Sequence, residues 1–142
     1  MPYAPQGVAA PGTPGVTTFL GLTDEPGSYT GAAGQYVKVN AAQTALIFQY
    51  FPIRSVAGDA VLSTTDFTVL IDTGGVDRVA TLPDASTVTG IVYNIKKTDG
   101  AVNIVTITPF GSQTVDNAAN RKLTVHYESI TIQSDGANWF II

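Results

Sequence analysis

From Ser63 onward, apolar and polar residues alternate in short runs separated by turn residues. Phe67, Val69 and Ile71 share one face of the first run, and a second run over 78–82 stops at Pro83-Asp84. Ile91, Tyr93 and Ile95 share a face of the third. It runs into Lys96-Lys97-Thr98-Asp99-Gly100, an ending that predicts a hairpin turn. The next strand, over 102–108, has Val105, Ile107 and Pro109 on one side. Leu123, Val125 and Tyr127 then alternate against Lys122, Thr124, His126 and Glu128. Residues 128–133 and 138–142 complete the pattern around a turn at Asp135-Gly136. Roughly seven period-two runs, with turn signals about every ten residues, predict an antiparallel β-sandwich-like domain over 63–142. No window carries helical periodicity. The last run is apolar on both faces, Trp139 and Ile141 against Phe140 and Ile142, which predicts burial in a sheet stack or an oligomer.

The first part of the chain is patterned differently. Residues 1–18 hold Pro2, Pro5, Pro11 and Pro14 and no charge, and read as an extended Pro/Gly-rich arm. Residues 19–52 form a small β module. Leu20 and Leu22 come first, then turn chemistry at Asp24-Glu25-Pro26-Gly27 and Thr30-Gly31-Ala32-Ala33-Gly34. The alternating Tyr36-Val37-Lys38-Val39 follows, and Leu46-Ile47-Phe48 closes the unit. Such a module has too few apolar side chains to offset its own ordering entropy, so something else must cover it, either the rest of this chain or other copies of it. Residues 53–62 read as a linker or crossover.

Composition narrows the partners. Of 142 residues, 44% are hydrophobic and only 13% charged, against about 25% charged in typical soluble domains. A surface so short of charge is expected to face other protein. The net charge of −4 argues against a nucleic-acid partner. No apolar run approaches the ~18 residues that span a bilayer, so no membrane partner is expected. The first residues lack the basic and apolar regions of a cleaved signal. With no cysteine there is neither a disulfide nor a thiolate metal site.

The residues from Leu20 to Phe48 resemble a module of bacteriophage fibre proteins. The match runs through Leu22, Asp24, Pro26, Tyr29, Gly31, Gly34, Val37, Val39, Asn40, Thr44, Leu46 and Phe48. The later part is similar to a β-domain of phage tail and head fibres at Tyr93-Asn94-Ile95-Lys96-Lys97, at Val105-Thr106-Ile107-Thr108-Pro109, and from Tyr127 through Asp135-Gly136-Ala137-Asn138-Trp139. The resemblance implies a homotrimeric virion protein: a fibre, spike or decoration attached to capsid or tail, with the virion as its location. It departs from long fibres in having no stalk of repeats. Phe19, Leu22, Val37, Val39, Leu46, Phe48, Trp139 and Phe140 are the expected attachment or trimer-interface residues. No enzyme activity, cofactor or metal is expected.

Two other function classes have specific residues behind them. Trp139, Tyr93 and Tyr127 could stack on a host-surface glycan, which would make the chain an adhesin; core packing is the competing role for all three. Asp72-Thr73-Gly74, after the apolar Val69-Leu70-Ile71, resembles the catalytic turn of aspartic proteases, with Asp72 as the catalytic residue of a homodimer. An ordinary strand-to-turn sequence accounts for it equally well, and a trimer cannot pair one such Asp with one other. His126, the only histidine, falls on the polar face of its expected strand. The scattered aspartates lack calcium-loop spacing and read as turn formers.

Overall fold

A computed structural model describes residues 28–142. The expected arm at 1–18, together with Phe19 and Leu22, lies outside them. The chain divides into two compact units, one ending at Tyr50 and the other running Phe51–Ile142.

In the first unit, β1 (Tyr36–Val39) and β2 (Leu46–Gln49) form an antiparallel hairpin. Asn40 makes its turn. The Asn40 side-chain oxygen accepts from the Thr44 amide at 2.9 Å, and its own amide donates to the Ala45 carbonyl. Gln43 takes the left-handed conformation that the turn requires, at φ 59°.

The second unit is all-β, with nine strands in two sheets. They are β3 (Ile53–Val56), β4 (Ala60–Val61), β5 (Thr68–Ile71), β6 (Arg78–Thr81), β7 (Val92–Lys97), β8 (Val105–Thr108), β9 (Arg121–Leu123), β10 (Ser129–Ser134) and β11 (Trp139–Ile141). One sheet has the order β11-β10-β7-β5-β3, the other β4-β6-β8-β9. From β3 to β8 the chain changes sheet at every step. Each strand therefore meets its sheet neighbour in parallel: β3 with β5, β5 with β7, β4 with β6, β6 with β8. Only the last strands, β9, β10 and β11, pair antiparallel.

The expectation of an antiparallel sandwich is thus corrected to a mixed one, and the expected hairpin at Lys96–Gly100 is a crossover. Strands β7 and β8 lie in different sheets. Lys97 keeps the inward parity of Tyr93 and Ile95 and is wholly buried. Its ammonium donates to the Asp99 carboxylate, the Asp99 carbonyl and the Ala101 carbonyl. The other Asp99 oxygen accepts from the Thr73 amide. This ion pair and the amides around it hold the Asp99 carboxyl well below the usual carboxylate range. Asp-Gly here ties the β7–β8 crossover to the β5–β6 turn instead of making a hairpin. The stretch read as a linker supplies β3 and β4.

Both sheets turn their alternate residues onto one core. Val69, Ile71, Tyr93, Ile95, Ile132 and Trp139 from one sheet meet Ala80, Val105, Ile107 and Leu123 from the other. Tyr93 and Trp139 stack at its centre, with ring centroids 5.5 Å apart. The β10–β11 hairpin that delivers Trp139 turns as its sequence predicts. Asp135 accepts the Ala137 and Asn138 amides, and Gly136 sits at φ 94°. A Cβ at Gly136 would come within 2.7 Å of Thr89 Oγ1, so a side chain is excluded there on two grounds.

The alternation expected over 122–128 ends early. Strand β9 stops at Leu123, and residues after it turn back around Glu128, whose carboxylate accepts the Thr124 and Val125 amides. Val125 and Tyr127, expected to face inward with Leu123, are exposed.

Replacing Trp139 by Ala is expected to lower unfolding free energy by about 3–5 kcal/mol, read from the midpoint of a denaturant titration. A second expectation concerns alkali. Tyr93 is buried, and burial together with the Asp66 charge raises its phenol to about 12. The neutral phenol donates to the Ser63 carbonyl at 2.8 Å. A raised folded value means that this contribution is complete below the unfolded pKa of about 10. It is then lost as pH climbs toward 12. Stability should fall over that window, and Tyr93→Phe should remove most of the fall at the cost of one hydrogen bond. A wild-type melting temperature that stays level between pH 10 and 12 would contradict this.

Candidate assembly surface

The hairpin register places four of the expected interface residues on one face. Val37 lies opposite Phe48, and Val39 opposite Leu46. Cross-strand neighbours of this kind stand about 4.5–5.5 Å apart at Cβ, so the four side chains form one apolar patch. The opposite face carries Tyr36 against Gln49 and Lys38 against Ile47.

Burial of this patch is incomplete. Val37 and Val39 remain 44% and 54% exposed, while Leu46 and Phe48 are half-buried. Tyr29 packs edge-on against the Phe48 ring at 5.7 Å, and Tyr50 donates its hydroxyl to the Ala33 carbonyl at 3.1 Å. These contacts fold the turns at Gly31 and Gly34, both at positive φ, back toward the strands. They do not build a core. No residue of this unit among those described is fully buried. A two-stranded hairpin of this size is marginal in water, so any surface that covers its apolar face adds to its stability.

The remaining expected interface residues separate. Trp139 is wholly inside the sandwich core, whereas Phe140 is 42% exposed and continues into exposed Ile141 and Ile142. Among the aromatics considered for a glycan, Tyr93 and Trp139 are core residues stacked on each other, and only Tyr127 presents its ring outward. It does so from a left-handed backbone at φ 59°, held by Lys96 donating to the Tyr127 carbonyl at 2.7 Å. Sequence alternation placed Tyr127 inward and missed this loop. The signal that could have found it is Glu128, an acceptor suited to cap the amides just before it.

Asp72 and His126 both lie in connections between strands. Asp72 starts the β5–β6 turn, where its carboxylate accepts the Gly74 amide at 2.9 Å, and Gly74 and Gly75 follow at positive φ. His126 lies in the loop after β9, next to Gly100. Among the described residues no group of three or more His, Asp or Glu could hold a metal ion, and no helix is long and apolar enough to cross a membrane.

The hairpin turn gives a direct test of how independent this surface is. Asn40→Ala removes both the acceptor for the Thr44 amide and a donor to its hydroxyl. Amide exchange in β1 and β2 should accelerate by roughly five- to tenfold, the equivalent of about 1 kcal/mol. Exchange in β7 and β10 should not change. No family model matches the chain, and no curated protein matches it.

Proposed function

We propose that the chain is a structural virion protein of a bacteriophage, a homotrimeric fibre, spike or decoration joined to capsid or tail through its first unit. The observation that carries this reading is the hairpin face of Val37, Val39, Leu46 and Phe48. It is apolar, half exposed, and mounted on a unit in which no described residue is fully buried. Such a surface is stabilised by docking against copies of itself or against another protein.

Two further features support assembly. Only 13% of the chain's residues are charged, which lowers the desolvation cost of burying its surface. The resemblance of 20–48 to fibre modules covers the same residues that the hairpin brings together. The second unit then faces outward as a rigid sandwich. An adhesin reading has one observation in its favour, the exposed Tyr127 ring on a pinned loop.

The double substitution Leu46→Ser with Phe48→Ser separates the two units. The expected result is loss of the trimer in light scattering, while the sandwich keeps its wild-type melting transition. A wild-type chain that stays monomeric at micromolar concentration, or a double variant that remains trimeric, would overturn the reading.

A further inference from the structure

The sandwich has four sheet edges, and they are treated unequally. The β11 edge is closed by residues 114–116. The Trp139 amide donates to the Thr114 carbonyl, the Asp116 amide to the Trp139 carbonyl, and the Ile141 amide to the Asp116 carboxylate. Strand β4 is only two residues long, and Arg54 donates to its Val61 carbonyl at 3.1 Å. Strand β9 is three residues long and begins Arg121-Lys122. Short, charged or covered edges are the ordinary protections against unwanted pairing.

Strand β3 has none of them. Its parallel register with β5, flanked by the Thr68 amide donating to Pro52 and the Asp72 amide donating to Val56, turns residues 54 and 56 toward β5. The amides and carbonyls of Ile53 and Ser55 therefore point away from the sheet. Ile53 is 69% exposed, and Ser55 is exposed as well. The one charge on the strand, Arg54, is spent on Asp66 through two contacts of 2.7 and 3.0 Å. An uncharged edge with two free donor–acceptor pairs is an acceptor for an added strand.

We propose that this edge receives residues 16–22 of a neighbouring copy as an added β-strand. That segment, Val16-Thr17-Thr18-Phe19-Leu20-Gly21-Leu22, has no proline, no charge and a high share of β-branched and aromatic residues. Prolines end at Pro14 and resume only at Pro26, so it is the stretch ahead of the hairpin whose amides are all available. Seven extended residues reach about 23 Å, enough to run the whole of β3. The choice of a neighbouring copy rests on the homotrimer reading above. It adds to that reading a second joint, made by main-chain pairing rather than side-chain burial.

The absence of cysteine permits a clean test in the full chain. Copies carrying Ser55→Cys are co-expressed with differently tagged copies carrying one cysteine at each position from 16 to 22 in turn, then oxidised. Mixed disulfide pairs of twice the chain mass are expected, strong at alternate positions and weak between them, because side chains of a paired strand alternate between faces. A Val79→Cys copy, with its thiol on the outside of the other sheet, should give none. Absence of mixed pairs, or equal yield at all seven positions, overturns the proposal. So does linkage that forms only in a single chain given both Ser55→Cys and one of those cysteines, and not between copies. If light scattering of the unmodified chain still reports a trimer in those cases, the assembly reading stands and only this joint fails.

Discussion

Two strands can lie parallel only if the chain leaves the sheet after the first and returns at the same end before the second. Here the return path is itself a strand of the opposite sheet. The crossovers from β3 to β8 thus build both layers at once, and neither layer can complete its row of neighbours without the other. Inward residues follow from this. Each strand must offer one apolar face to a layer that forms on the same pass, which is why Val69, Ile71, Tyr93, Ile95, Val105 and Ile107 are all fully buried. The crossovers also need anchors where the chain changes layer. The buried Lys97 ammonium, satisfied by Asp99 and Ala101, is one. Arg54 on Asp66 is another; burial pushes the Asp66 carboxyl up, but Arg54 and the Ser63 groups outweigh it and hold it low.

Period-two alternation made the inner faces of β5, β7 and β8 legible in the sequence, and so was the turn at Asp135-Gly136 before Trp139. Strand direction was not. A parallel strand and an antiparallel one bury the same alternate residues, and Asp99-Gly100 has the same local chemistry whether it closes a hairpin or starts a crossover. Lys97 was missed because a charged residue at an inward position breaks the pattern, and its partner lies two residues on. Tyr127 was misplaced for the converse reason. It continued the alternation of Leu123 and Val125 after the strand had already ended. Val37, Val39, Leu46 and Phe48 were legible as apolar anchors, but their pairing on one face was not, because it depends on the Asn40 turn, which carries no Gly or Pro signal.

The two units use different sources of stability. In the second, aromatic stacking of Tyr93 on Trp139 and close apolar packing dominate. Trp139 brings that payload at the cost of an indole N–H that has no hydrogen-bond partner among the described residues. In the first, hydrogen bonds of the Asn40 turn and one aromatic contact hold a hairpin whose apolar face is only partly covered. A domain with its own core keeps its shape wherever it is placed. A hairpin without one gains free energy from any surface that covers it.

The wound topology also has a kinetic side. Ile53 pairs with Thr68, Thr68 with Asn94, and Asn94 with Thr131, so the central row of the five-stranded sheet gathers residues spread over most of the second unit. Non-local pairing of this kind places folding in the slow range, about milliseconds to seconds, against about 1–10 μs for a local hairpin. Because Trp139 fills the centre of the core, a chain emerging from the ribosome cannot close the sandwich until its final strand is free. The residues of β1 and β2 have left the ribosome long before that moment. On each nascent chain the half-exposed apolar face of the hairpin therefore emerges before the sandwich can close.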